Sequence, residues 1–124
     1  MTIAYYCLLV AIFIPLICAG YSKFSVKGYD NRNPREFLNN LSGRAKRAHY
    51  AQLNAYEVFP LFAVGLIIAH QLHAPQATVD LLAITFVIAR ILYSAFYIID
   101  QHVLRTTAWF IGFGVTLTLF FVGK

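Results

Sequence analysis

Four side chains between positions 47 and 57 are spaced for chemistry. Arg47, Tyr50, Asn54 and Glu57 follow one another at intervals of three, four and three. At about 100° per residue they fall on one narrow arc of a helix. Glu57 stands just ahead of the apolar segment Leu61 to Ala69. A carboxylate at that depth is expensive, so it is expected to face a bundle interior with a partner, and it is a functional-site candidate by default. Arg90, Tyr93 and Tyr97 form a second arc, spaced three and four, and Arg105 follows just beyond the next turn. Cations, a carboxylate, an amide and phenols converging at one depth suit a small zwitterionic ligand that carries carboxylates and an amine.

Each of these residues also has a plainer role open to it. Glu57 can pair with Arg90 or Arg47 simply to neutralise a buried charge. Arg44, Arg47 and Arg105 fit headgroup anchors, and Tyr93 and Tyr97 fit interfacial packing. Their joint placement on facing arcs is what favours a site. The histidines do not add to it: His49, His70, His73 and His102 share no face. His70 and His73, at i and i+3, offer two nitrogens and no third ligand, so no metal is expected. The chain has no glycine-rich phosphate loop and no Cys-x-x-Cys, and Ser94 lacks the partners of a nucleophilic triad.

The elements that must position these arcs follow from composition. The 124 residues are 60% hydrophobic and only 12% charged, against about 25% charged in soluble domains. The apolar residues are gathered into runs, which makes a bilayer the expected solvent. One integral membrane domain over residues 1–124 is predicted, with four helices near Ile3 to Gly20, Arg44 to His70, Ala77 to Ile99 and Leu104 to Val122. Each is long enough for about 30 Å of hydrocarbon. Pro15 and Pro60 lie inside the first two and are tolerated there. The first loop, Tyr21 to Gly43, is long and rich in turn chemistry at Asp30 to Arg35; the other two are short.

Charge sets the orientation. Lys23, Lys27, Arg32, Arg35, Arg44, Lys46 and Arg47 cluster in and after the first loop, the second loop has no lysine or arginine, and Arg105 follows the third. Loops one and three are therefore expected on the cytoplasmic side and both termini on the other, with only Lys124 opposing. The net charge of +5 is a topology signal, facing anionic headgroups rather than nucleic acid. Met1 to Ala4 has no basic region and the first apolar run exceeds a signal core, so a retained span is predicted. Cys7 and Cys18, about 16 Å apart along one helix, cannot bridge.

At these residues the sequence resembles the MAPEG family, the membrane-associated proteins in eicosanoid and glutathione metabolism. The likeness rests on Arg47, on Ala51 to Pro60 with its Asn54-x-x-Glu57 stripe ahead of Phe59-Pro60, on Ala89-Arg90 with Tyr93 and Tyr97, on Arg105, and on Gly112 to Leu117. It covers most of the chain from Asn33 onward and is nearest to bacterial-type members. The resemblance implies a four-transmembrane-helix bundle assembling as a homotrimer, in a bacterial inner membrane, with glutathione bound between subunits near the cytoplasmic face.

Residue by residue, the resemblance places Asn54 and Glu57 on the ligand, with Glu57 holding the amino group. Gln52, on the opposite side of the helix, matches a contact supplied to the adjacent subunit. Tyr93 and Tyr97 match the family's tyrosine positions, Arg47 and Arg90 join the binding set, and Arg105 resembles the arginine that stabilises the glutathione thiolate. Tyr50 departs from the pattern, standing where active relatives commonly carry an arginine; Arg47 is one turn away. The activity implied is a glutathione-dependent transferase or peroxidase acting on lipophilic electrophiles drawn from membrane lipid. A non-enzymatic lipid-binding or scaffolding protein is the alternative, and a proton-coupled transporter subunit using Glu57 is a third reading.

Overall fold

A computed structural model describes residues 1–123. These residues form five helices: α1 (Ile3–Phe24), α2 (Pro34–Asn39), α3 (Gly43–Gln71), α4 (Gln76–Ile98) and α5 (His102–Leu119). The four long helices run up and down, with α4 packed on α1, α3 and α5, and α3 packed on α1 and α5. The predicted all-helical architecture is therefore present. Three of the helices, α1, α3 and α4, are long and apolar enough to cross a membrane. The fourth, α5, is shorter at 18 residues and carries His102, Arg105, Thr106 and Thr107 in its first two turns.

The start of α1 is held from two directions. Its N-cap, Thr2, accepts a hydrogen bond from the Tyr5 amide at 3.3 Å, and Asp80 of α4 accepts one from the Ala4 amide at 2.9 Å. Two of the four amides that a helix start leaves unpaired are thus satisfied. Helix α1 continues through Pro15 and runs one turn past the predicted end, to Phe24. At that end the Ser22 hydroxyl shares its one hydrogen between Cys18 O and Ala45 O, each at 3.0 Å, which ties α1 to the first turn of α3. The first loop is correspondingly shorter than expected and contains α2. Its signature was the turn chemistry itself: Asn33 sits at the N-cap and Pro34 at the first helical position, where a missing N–H costs nothing. The Lys46 ammonium closes the other end by donating to Leu38 O and Asn39 O at 3.1 and 2.8 Å.

At 29 residues, α3 extends about 43 Å by helical rise, well beyond a hydrocarbon core of about 30 Å. Its basic first turns therefore overhang the apolar part. Ala45, Ala48, Ala51 and Ala55 of α3 are buried, a stripe of small side chains that lets neighbouring helices approach closely. Deeper in the bundle Phe62 and Phe86 stack with ring centroids 3.8 Å apart, among Leu66, Val79 and Leu119, which are fully buried. The outward faces invert a soluble protein: Leu9, Phe13, Ile17, Leu61, Val64, Ile67, Leu81, Ile88, Phe110 and Leu117 are all exposed. Contiguous apolar surface on this scale belongs against lipid or another chain. Both short connections turn through a residue at positive φ, His73 (56°) and Asp100 (65°). Cys7 and Cys18 are free thiols.

Candidate functional site

The two predicted arcs meet where α3 crosses α4. Arg90 is the buried member, 3% exposed. Its Nη2 donates to Asn54 Oδ1 at 2.7 Å, and Asn54 Nδ2 donates to Glu57 Oε2 at 3.3 Å. The amide thus relays a buried cation to a carboxylate. Glu57 itself is exposed on the single chain. Here the structure corrects the expectation of a buried, paired acid: the base is buried and the acid is open. The only ion pair among the described residues is Arg32 with Asp30, at 3.2 Å. The reason is geometric. Helix α3 presents positions 54 and 57 at its edge, whereas the helical face carrying Ala89, Arg90 and Tyr93 packs inward, so the arginine must snorkel toward the amide.

Aromatic faces complete the cation binding. The Arg90 guanidinium lies 4.1 Å from the Tyr93 ring centroid and that of Arg105 lies 4.5 Å from Tyr97. The two tyrosines meet edge to face at 5.7 Å, and Tyr50 lies 6.4 Å from Tyr97. Such cation–aromatic contacts are worth about 0.5–2 kcal/mol each, more when dry. The predicted sequence Arg90, Tyr93, Tyr97, Arg105 is therefore one continuous stack linking α4 to the first turn of α5.

Two clefts share the Asn54–Glu57 edge. One, about 320 Å³, is lined by Tyr50, Leu53, Asn54, Glu57, Tyr93 and Tyr97. The other, about 210 Å³ and more apolar, runs down between α3, α4 and α5 past Arg90, Phe86, Trp109, Gly112 and Thr116. A polar group and a lipophilic group can thus approach the same carboxylate from two sides. Arg105 lines neither cleft and stands behind Tyr97. Arg47 is drawn off the arc: its Nε donates to Ile98 O at 3.1 Å, at the C-terminal end of α4. Gln52 faces away from both clefts, as its position on the helix predicts. Its Nε2 reaches Tyr56 OH at 3.4 Å, while its Oε1 is buried without a partner among the described residues.

Phe86, Trp109, Gly112 and Thr116 were not anticipated as lining residues. Nothing in their types marks them, because apolar walls look like core. Asp80 and His70 were also missed as a pair of bundle clasps, although a lone carboxylate in an apolar helix carries the same signal as Glu57. Asp80 accepts from Ala4 N and from Gln76 Nε2 at 2.7 Å. His70 uses both nitrogens, Nδ1 donating to Leu66 O at 2.8 Å and Nε2 meeting the Thr2 hydroxyl at 3.2 Å, and it stacks on Tyr5 at 4.3 Å.

Fold and site together define an integral membrane helix bundle whose polar edge opens beside an apolar cleft. The MAPEG family model matches residues 3–123, and the chain belongs to that family. No curated protein and no solved structure matches it.

Proposed function

We propose that the chain is a glutathione-dependent transferase or peroxidase for lipophilic electrophiles, working as a homotrimer of four-span subunits. The proposal further places it in a bacterial inner membrane with loops one and three cytoplasmic. Membership of a family tied to glutathione and eicosanoid metabolism supports this chemistry. The observation that carries the reading is the Arg90–Asn54–Glu57 relay shared by a polar and an apolar cleft. Glu57, open and with no ion-pair partner among the described residues, takes the glutathione amino group, and Tyr93 and Tyr97 line the cleft that receives the peptide. Gln52 serves a neighbouring subunit, and Arg47 offers its free guanidinium nitrogens to a carboxylate.

A free thiol has a pKa near about 8.5, and a guanidinium in reach favours the thiolate. Arg105 supplies that charge in this reading, after moving off Tyr97. The thiolate sulfur then bonds to the electrophilic carbon, and the leaving group departs with the bonding pair. Calorimetry in detergent tests binding: saturable glutathione binding should weaken about tenfold or more in Glu57→Gln, the loss of a charge-assisted contact. Conjugation to a general electrophile should fall most of the way to background in Arg105→Ala. Wild-type rates in Arg105→Ala would overturn the mechanism. The lipid-binding alternative is favoured by Tyr50 lining the polar cleft and by Arg47 turning to Ile98 O, and absent glutathione binding by the wild type would select it.

A further inference from the structure

A second site lies on the other face of α4. Ile17 and Tyr21 of α1 and Ile91, Ala95 and Ile98 of α4 line an apolar groove of about 240 Å³. Ser94 forms part of its wall and is 7% exposed. Its hydroxyl has no nitrogen or oxygen partner among the described residues; the one group beside it is the Cys18 sulfur. Among the buried serine and threonine hydroxyls of the described residues, Ser22, Ser94 and Thr116, that of Ser94 is the one without an oxygen acceptor. Ser22, Thr85, Thr107, Thr116 and Thr118 all return their hydroxyl hydrogens to the carbonyl four residues back, the ordinary resolution for such residues in helices. The adjacent groove residue Cys18 offers only a weak sulfur partner. At membrane depth a hydroxyl answered only by a sulfur is costly, so the groove is short of one strong acceptor.

Depth identifies that acceptor. Ser94 lies four residues before the end of α4, about 6 Å below it by helical rise. The ends of α1 and α4 and the start of α3 lie together here, as the Ser22–Ala45 and Arg47–Ile98 bonds show. Cations gather at the same level. Lys46 and Arg47 are engaged by backbone carbonyls and Arg32 by Asp30, but Lys27 and Arg44 are exposed and make no hydrogen bond or ion pair among the described residues. An apolar trough, a hydroxyl donor about one turn below the helix end and unspent cations in the segments that meet at that end match, in order, an acyl chain, its ester carbonyl and an anionic headgroup.

We propose that the α1–α4 groove holds one anionic glycerophospholipid per chain, its ester carbonyl on Ser94 and its headgroup beside Lys27 and Arg44. The site is independent of the glutathione reading. The test is native mass spectrometry of delipidated protein in detergent, titrated with phosphatidylglycerol or phosphatidylcholine of identical acyl chains. One phosphatidylglycerol per chain should be retained in preference to phosphatidylcholine. Ala95→Phe, which fills the groove from an exposed position, should abolish retention while leaving helical content and oligomeric mass unchanged. Ser94→Ala should weaken both lipids alike. Lys27→Gln with Arg44→Gln should remove the preference, about fivefold for each cation, without abolishing binding. Equal affinity of the wild type for the two lipids would overturn the proposal. So would undiminished retention by Ala95→Phe; if the oligomeric mass also changed, the groove would be an interface between copies.

Discussion

Asn54→Ala isolates what the relay contributes to stability. Among the described residues the Arg90 side chain makes one hydrogen bond, to Asn54 Oδ1, and Arg90 Nε is already buried without a partner there. Hydrogen bonds to charged groups contribute about 1.5–3 kcal/mol, and stranding a buried charge costs about 3–5 kcal/mol. The Tyr93 face stays in place and retains about 1 kcal/mol of cation–aromatic attraction. The expected loss is therefore about 2–4 kcal/mol. Replacing the charge as well, in Asn54→Ala with Arg90→Met, removes the stranded group and should recover about 2 kcal/mol of that loss. Both are measured as unfolding free energies in mixed detergent micelles, completed as a double-mutant cycle with Arg90→Met. A loss below about 0.5 kcal/mol for Asn54→Ala, or strict additivity across the cycle, would refute the account of a buried cation held through an amide.

Other outcomes follow from single contacts. Asp80→Leu removes the carboxylate that receives the Ala4 amide and should cost about 1 kcal/mol, with faster amide exchange confined to the first turn of α1. Gly65→Val places a branched side chain where a Cβ alone would already lie 3.0 Å from the Phe120 ring, and should cost about 1–3 kcal/mol by overpacking in the same unfolding assay. The Arg32 amide and guanidinium hold the Asp30 carboxyl below its ordinary range. Its folded pKa is depressed, so the loop's benefit is present above the ordinary carboxylate pKa and is lost as pH falls through the lower, folded value. Arg32→Ala should raise the Asp30 titration midpoint toward the ordinary range, read by NMR.

The helices were legible because apolar runs of this length have few soluble uses, and their ends fell within a few residues. The facing arcs were legible because helical spacing fixes which residues share a side. What spacing does not fix is how far a helix is rotated toward its neighbours. That rotation decided which charge is buried, and it put Arg90 inside and Glu57 outside. Arg47 shows a second limit: sequence gives its azimuth, but a long side chain goes to the strongest unmet acceptor, here the Ile98 carbonyl. Helix α2 was hidden because Asn33-Pro34 is equally good turn and helix-start chemistry. The proposed trimer and the contacts it would share lie beyond any single chain.

The order of donors and acceptors along the relay runs one way. The guanidinium can only give, so it takes the amide oxygen, and the amide NH₂ is left to face the acid. Inverting Asn54 would set two donors against each other at one end and two acceptors at the other. Any guest that docks at the outer end must therefore arrive proton-first. A ligand designed for this cleft is better elaborated from an ammonium or amidine than from the acid groups that the neighbouring arginines invite.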